Sequence, residues 1–91
     1  VIITCLPSPA ASAAVAEGAD GFLPVLRAGQ VWMEMSTTDY TEVLRLGERV
    51  ADKGALFMEC PVSGGCHRAE TGNISIFAGG PREGFERVLP V

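Results

Sequence analysis

The stretch that decides the fold is VWMEMSTTDYTEVLRLGERVADKG, residues 31–54. It opens with an apolar run, which predicts a buried strand over residues 31–35. Asp39 follows as a helix cap, with Glu42 three residues later, as in a capping box. Apolar residues then recur at intervals of three and four as far as Gly54, which is placed to end a helix. This segment therefore predicts one complete strand, loop and helix.

The same order of elements occurs on both sides of this unit. Residues 1–6 predict a buried strand, Ser8 and Pro9 begin an alanine-rich helix, and residues 55–60 predict a third strand. Strands that alternate with helices predict an α/β fold whose sheet is mostly parallel. The other expected elements are a short turn or helix over 22–26, a loop over 62–73, a fourth strand over 74–78, and a last helix after Gly79-Gly80-Pro81 with Phe85, Val88 and Leu89 on one face.

The composition is that of one small globular domain. The chain has 91 residues, of which 47% are hydrophobic and 20% charged. Its net charge of -4 and its scattered basic residues argue against a nucleic-acid partner. No charged start precedes a long apolar run, so we expect a cytoplasmic protein without a membrane partner. Because the sequence begins without methionine and stops inside an expected helix, we expect a fragment of a longer protein.

Three cysteines lie in or beside apolar stretches, which favours reduced and buried thiols at Cys5, Cys60 and Cys66. Cys60, Cys66 and His67 also suggest a metal ion. Structural zinc sites, however, usually pair cysteines two to four residues apart and need a fourth ligand. We therefore expect no metal site.

Loops that follow parallel strands lie at one edge of the sheet, where open α/β folds bind their ligands. Three such loops are expected here: Leu6-Pro7-Ser8, Ser36-Thr37-Thr38 and Val62-Ser63-Gly64-Gly65. They combine hydroxyl groups, glycines and helix N-termini, which suits a phosphate or a carboxylate. Taken alone, the segment at Ser63 is more typical of an ordinary serine-glycine turn.

The motif Glu59-Cys60-Pro61-Val62-Ser63-Gly64-Gly65 resembles the substrate-binding signature of the β-hydroxyacid dehydrogenase family, in particular its 3-hydroxyisobutyrate dehydrogenase and tartronate semialdehyde reductase group. Glu70-Thr71-Gly72-Asn73-Ile74 and Phe77-Ala78-Gly79-Gly80 continue that signature. Leu6-Pro7 and Ser36-Thr37 are similar to the ends of two earlier strands in the same family. The resemblance covers essentially the whole chain, in order.

This resemblance implies that residues 1–91 are the second half of a Rossmann-like NAD(P)-binding domain, a mostly parallel sheet with flanking helices. It implies an intact enzyme that oxidises the CH-OH group of a small β-hydroxy acid and assembles as a homodimer or homotetramer. The cofactor, NAD or NADP, would supply the hydride chemistry. The implied contacts are Leu6, Pro7 and Thr37 for the cofactor and Ser63, Gly64 and Gly65 for the substrate carboxylate.

Two parts of the family's pattern are missing from these residues. One is the glycine-rich turn that seats the pyrophosphate, and the other is the lysine general acid/base, which belongs to a later helical domain. The single lysine, Lys53, precedes Gly54 at a helix end, where a cation complements the helix dipole. We therefore expect no catalytic residue and no turnover in the isolated chain.

Two other interpretations stay open. The chain could be a non-catalytic NAD(P)-binding-fold module that has lost the lysine, or an unrelated α/β domain that binds phosphate. His67 and Arg68 replace small residues of the family. Arg68 could clamp a second carboxylate or a phosphate, and His67 adds an imidazole beside it, although both are also ordinary in a solvated loop.

Overall fold

The computed structural model describes all residues from Val1 to Val91. Its strands and helices confirm the expected α/β fold. In chain order they are β1 (Ile2–Thr4), α1 (Pro9–Glu17), one 3-10 turn (Leu23–Val25), β2 (Val31–Glu34), α2 (Tyr40–Asp52), β3 (Leu56–Glu59), β4 (Val62–Ser63), α3 (Gly65–Glu70), β5 (Ser75–Ile76) and α4 (Arg82–Val88).

The first three strands form a parallel sheet in the order β1-β2-β3. Thr4 lies opposite Glu34, and Glu34 lies opposite Glu59, so the three strands end at the same level. The loops that follow them therefore leave from one edge of the sheet, as the sequence predicts.

Both main helices begin at the residues that the sequence indicates. The Ser8 side chain accepts a hydrogen bond of 3.1 Å from the Ala11 N-H, and Pro9 is the first residue of α1. The Asp39 carboxylate accepts one of 2.9 Å from the Glu42 N-H at the start of α2. These caps satisfy backbone donors that have no partner inside the helix.

Apolar side chains cover the sheet on both faces. Trp32 lies at the centre of the first face, with its ring centroid 4.9 Å from those of Phe22 and Phe57. Successive residues of a strand point to opposite faces, so β2 is buried along its whole length. The first cluster comprises Ala16, Leu23, Leu26, Trp32, Leu46, Val50 and Ala55, and the second comprises Val31, Met33, Met58, Cys60 and Val88.

Residues 62–78 differ from the expected loop over 62–73, and the expected fourth strand lies outside the parallel sheet. β4 and β5 pair antiparallel, with Ser63 opposite Ser75, and the pairing continues to Glu59 and Gly79. A parallel crossover needs a dozen or more residues, whereas only residues 64–74 separate β4 from β5. We call residues 59–79 the hairpin.

The helix α3 within the hairpin is also a departure from the predicted loop. None of its six residues is buried, so the sequence carries no periodic apolar face to indicate it. Gly64 and Gly65 have φ angles of 130° and 68°, which few other residues adopt. These two glycines turn the chain from β4 directly into α3.

The expected burial of the cysteines is correct for only one of them. Cys60 is buried, but Cys5 and Cys66 are exposed, because one lies just beyond β1 and the other in α3. All three thiols are free.

No helix in the structure combines the length and the apolar character that a membrane span requires.

Phe85 and Val88 of α4 and Leu89, which caps the helix, line one apolar groove together, which confirms that they share a face. Only Val88 is buried there, while Phe85 and Leu89 remain 41% and 67% exposed. The helix packs closest at Gly84, where an added Cβ would lie 2.7 Å from the sulfur of Met58.

Candidate functional site

The loops after β1 and β2 are joined by a direct hydrogen bond. The Leu6 N-H donates to Ser36 Oγ at 2.6 Å, and Ser12 Oγ of α1 lies 3.5 Å from the same oxygen. We call residues 5–8 and 35–38 the paired loops. The bond spans 30 residues of sequence, so the position of each loop depends on the other.

A buried carboxylate lies at the base of the paired loops. Glu34 ends β2 and is 1% exposed, and its Oε1 accepts a hydrogen bond of 2.7 Å from the Ser36 N-H. Its Oε2 is buried without a partner, as is the hydroxyl oxygen of Thr38. Buried polar atoms are nearly always paired, so these two oxygens are the exceptions in the protein.

Thr4 extends this polar base toward the core. Its hydroxyl accepts a hydrogen bond of 2.8 Å from the indole N-H of Trp32. Trp32 and Glu34 are two residues apart in one strand and therefore lie on the same face of the sheet. The floor of the paired loops is thus continuous with the first core cluster.

The surface of the paired loops combines apolar and polar atoms. Leu6 is half-buried, while Pro7 and Thr37 are exposed, so the surface offers apolar atoms and one free hydroxyl. Apolar atoms with a few polar groups suit a flat ring and its sugar. The paired loops contain no basic residue and no glycine.

The hairpin leaves the same edge of the sheet. The Cys60 N-H donates to the Glu34 carbonyl at 2.7 Å, after which the chain reaches Ser63, Gly64 and Gly65, all exposed. A Cβ at Gly65 would meet no atom within 4 Å. The backbone there is open on one side, and the Ser63 hydroxyl has no partner within the protein. This arrangement can accept an anion that approaches from solvent.

The Cys60 side chain is a thiol of low reactivity. Burial raises the pKa of its thiol, and the negative charge of Glu59 raises it further. A protonated thiol is a poor nucleophile and a poor metal ligand. Across the whole chain, no three His, Cys, Asp or Glu side chains come close enough together to hold a metal ion.

The structure places Leu6, Pro7 and Thr37 in the paired loops, and Ser63, Gly64 and Gly65 on the neighbouring hairpin. The sequence analysis missed the buried polar side chains beneath them. Glu34 did carry a signal, because it is the one charged residue in the apolar run 31–35. A charge in a strand buried on both faces is rarely tolerated without a local partner.

Comparison with known proteins places these features in context. A family model for the NAD binding domain of 6-phosphogluconate dehydrogenase matches residues 1–91. The chain is 34% identical to 2-(hydroxymethyl)glutarate dehydrogenase of Eubacterium barkeri, over 100% of the chain and 30% of that relative. It is 39% identical to the mitochondrial 3-hydroxyisobutyrate dehydrogenase of Rattus norvegicus, over 92% of the chain and 25% of the relative.

The fold agrees with solved structures as well. Psf3 in complex with NADP+ and 2-OPP superposes with a TM-score of 0.90 at 29% sequence identity, over 97% of this chain and 31% of that one. The chain therefore spans less than a third of the length of each of these relatives.

Proposed function

The chain belongs to the NAD-binding domain family of 6-phosphogluconate dehydrogenase, and we propose that it is the part of a β-hydroxyacid dehydrogenase that brings cofactor and substrate together. The cofactor class is NAD or NADP. The observation that carries the proposal is the family match over all 91 residues. The hydrogen bond between Leu6 and Ser36, which joins two loops of suitable chemistry, supports it further.

In this proposal the paired loops hold the nicotinamide end of the cofactor. Leu6 and Pro7 pack against the ring, and the Thr37 hydroxyl forms a hydrogen bond to the same end. The bond from Leu6 to Ser36 keeps the two loops at a fixed separation. A bound nicotinamide supplies the hydride acceptor, and these residues orient it.

The hairpin holds the substrate. The Ser63 hydroxyl and the backbone amides of Gly64 and Gly65 bind its carboxylate, which needs no fixed cation when several donors converge. In this position the exposed backbone of Gly65 leaves room for the anion. Substrate and cofactor then meet at one edge of the sheet.

The substrate class follows from the chemistry that two relatives share in their names. Both 3-hydroxyisobutyrate and 2-(hydroxymethyl)glutarate carry a hydroxymethyl group on the carbon next to a carboxylate. We propose that the intact protein oxidises a small β-hydroxy acid of this type. The hydride passes to the cofactor, and the hydroxyl proton passes to a lysine outside residues 1–91, since Lys53 lies at the opposite edge of the sheet.

The test is a steady-state assay of the protein that contains this chain, with NAD or NADP and 3-hydroxyisobutyrate. We expect turnover by the intact protein and none by residues 1–91 alone. Thr37→Val should raise the KM for the cofactor several-fold and leave the KM for the acid unchanged. Ser63→Ala should raise the KM for the acid several-fold and leave the KM for the cofactor unchanged. Thr41→Val, at an exposed position of α2, is the matched control.

The alternative of a non-catalytic module is tested by combining this assay with a cofactor titration. If the intact protein binds cofactor in a fluorescence titration but turns over no β-hydroxy acid, it is the non-catalytic module considered above. Absence of both cofactor binding and turnover would contradict the proposed function altogether.

Location and assembly stay predictions. We propose a cytoplasmic homodimer or homotetramer that binds neither nucleic acid nor membrane, although the rat relative is named as mitochondrial. Cell fractionation and light scattering of the intact protein test the two parts of this statement separately.

A further inference from the structure

Arg68 differs from most other arginines of this chain in having no acidic partner. Four arginines form ion pairs with glutamates of their own or a neighbouring helix: Arg45, Arg49, Arg82 and Arg87. The Arg68 guanidinium makes no ion pair and no hydrogen bond, although it is carried by α3 beside the proposed carboxylate site.

The Arg68 side chain runs back across the start of α3. A Cβ built on Gly64 would lie 2.9 Å from Arg68 Cδ and 3.1 Å from its Cβ. The aliphatic stem therefore lies against the backbone of Gly64, which has to be glycine both for this contact and for its φ of 130°. This packing places the aliphatic part of Arg68 directly beside Gly64, next to Ser63 and Gly65 in the proposed carboxylate site.

We propose that Arg68 is a specificity residue that binds a second carboxylate of the substrate, so that the preferred substrate is a β-hydroxy dicarboxylate. This inference rests on the proposed function. The Ser63 hydroxyl and the glycine amides would take the first carboxylate, next to the reacting carbon. A guanidinium offers two parallel N-H donors to a carboxylate, which gives both strength and direction.

Two substrates form a matched pair for the test. They share the hydroxymethyl group and the adjacent carboxylate, but 3-hydroxyisobutyrate carries a methyl group where 2-(hydroxymethyl)glutarate carries a second carboxylate on a two-carbon chain. The intact protein is assayed with each, as wild type and as Arg68→Gln. Arg27→Gln is the control, because Arg27 is also exposed and without an ion pair but precedes β2 at the opposite edge of the sheet.

We expect Arg68→Gln to lower kcat/KM for the dicarboxylate by about 10- to 100-fold, mainly through KM, and that for the monocarboxylate by less than about threefold. Arg68→Lys keeps the charge but loses the two parallel N-H donors. Its kcat/KM for the dicarboxylate should lie between those of wild type and Arg68→Gln. Arg27→Gln should match wild type. In calorimetry, the intact protein loaded with cofactor should bind glutarate more tightly than butyrate, and Arg68→Gln should remove the difference.

An unchanged ratio of the two kcat/KM values in Arg68→Gln, with turnover of 3-hydroxyisobutyrate intact, overturns the role of Arg68 and leaves the proposed function standing. Equal losses for both substrates also overturn it, since they indicate a general disturbance of the hairpin. If the wild-type protein turns over neither acid, the proposed function itself fails, and this inference fails with it.

Discussion

The paired loops and the hairpin leave the same edge of the sheet but are held in different ways. The paired loops rest on the core: the hydroxyl of Ser36 accepts the Leu6 N-H, and Glu34 beneath them is 1% exposed. In the hairpin, every residue from 63 to 73 is exposed, and its backbone bonds are largely its own. The paired loops, proposed to hold the cofactor, are therefore held in place by contacts with the core. The hairpin, proposed to hold the substrate, is joined to the sheet but lies outside the core.

The largest difference should appear when an aromatic side chain is removed from each region. Trp32, which is 0% exposed beneath the paired loops, contacts two other rings and donates to Thr4. We expect Trp32→Ala to lower the free energy of unfolding by about 3 to 5 kcal/mol. Phe77→Ala, in the hairpin and 63% exposed, should lower it by less than about 1 kcal/mol. Urea unfolding of the intact protein followed by circular dichroism measures both, and equal effects would contradict the comparison.

Ser36 and Ser63 allow a second comparison. Substitution by alanine should lower the stability at Ser36 and raise the KM at Ser63. Ser36→Ala removes the acceptor of the half-buried Leu6 N-H, and we expect it to destabilise the domain by about 1 to 2 kcal/mol. Ser63→Ala should change stability by no more than about 0.5 kcal/mol, because its hydroxyl is exposed. The KM for the β-hydroxy acid should rise in Ser63→Ala. A stable Ser36→Ala protein, measured by urea unfolding, would show that the paired loops do not need each other.

A third pair compares two cysteines. Cys60→Ser places a hydroxyl in a fully buried position at the end of β3 and should destabilise by about 1 to 2 kcal/mol, whereas Cys66→Ser in α3 should be neutral. Because the pKa of the Cys60 thiol is raised in the folded state, its contribution is present below the ordinary pKa and is lost as pH rises and the unfolded thiol ionises. Unfolding curves recorded from pH 7 into the alkaline range should show this loss in wild type and not in Cys60→Ser.

The smallest effect concerns the ion pairs between α1 and α2. Arg45 makes two hydrogen bonds of 2.6 and 2.8 Å to the carboxylate of Glu17, which joins α2 to α1. These bonds lower the pKa of Glu17, with a further contribution from Arg49. The stabilisation is therefore present above the ordinary carboxyl pKa and is lost as pH falls below it.

We expect Glu17→Gln to destabilise the domain by about 0.5 to 1 kcal/mol near neutral pH. The difference from wild type should shrink in acid, as measured by thermal unfolding at a series of pH values. Arg68→Gln, which breaks no ion pair, should leave stability unchanged over the same range. A pH-independent effect of Glu17→Gln would indicate packing rather than charge.

Structural features that depend on residues close together in the sequence could be predicted. The caps at Ser8 and Asp39, the three parallel strands and the common edge of their loops all follow from local patterns, and the structure confirms them. The pairing of β4 with β5 could not be predicted, because the alternation at Ile74–Phe77 indicates a strand without identifying its partner. The bond from Leu6 to Ser36 joins residues 30 apart, so it is visible only after folding.

The antiparallel bridge between Glu59 and Gly79 has a consequence for how this fold can diversify. Both ends of the hairpin are fastened at one point of the sheet, so the segment between them is a closed loop whose length is not set by the strands. The entropy lost on closing a loop grows slowly, and doubling its length would destabilise the fold by only about 0.6 kcal/mol. The hairpin can therefore be lengthened between Glu59 and Gly79 at little cost in stability, while the parallel sheet keeps its structure.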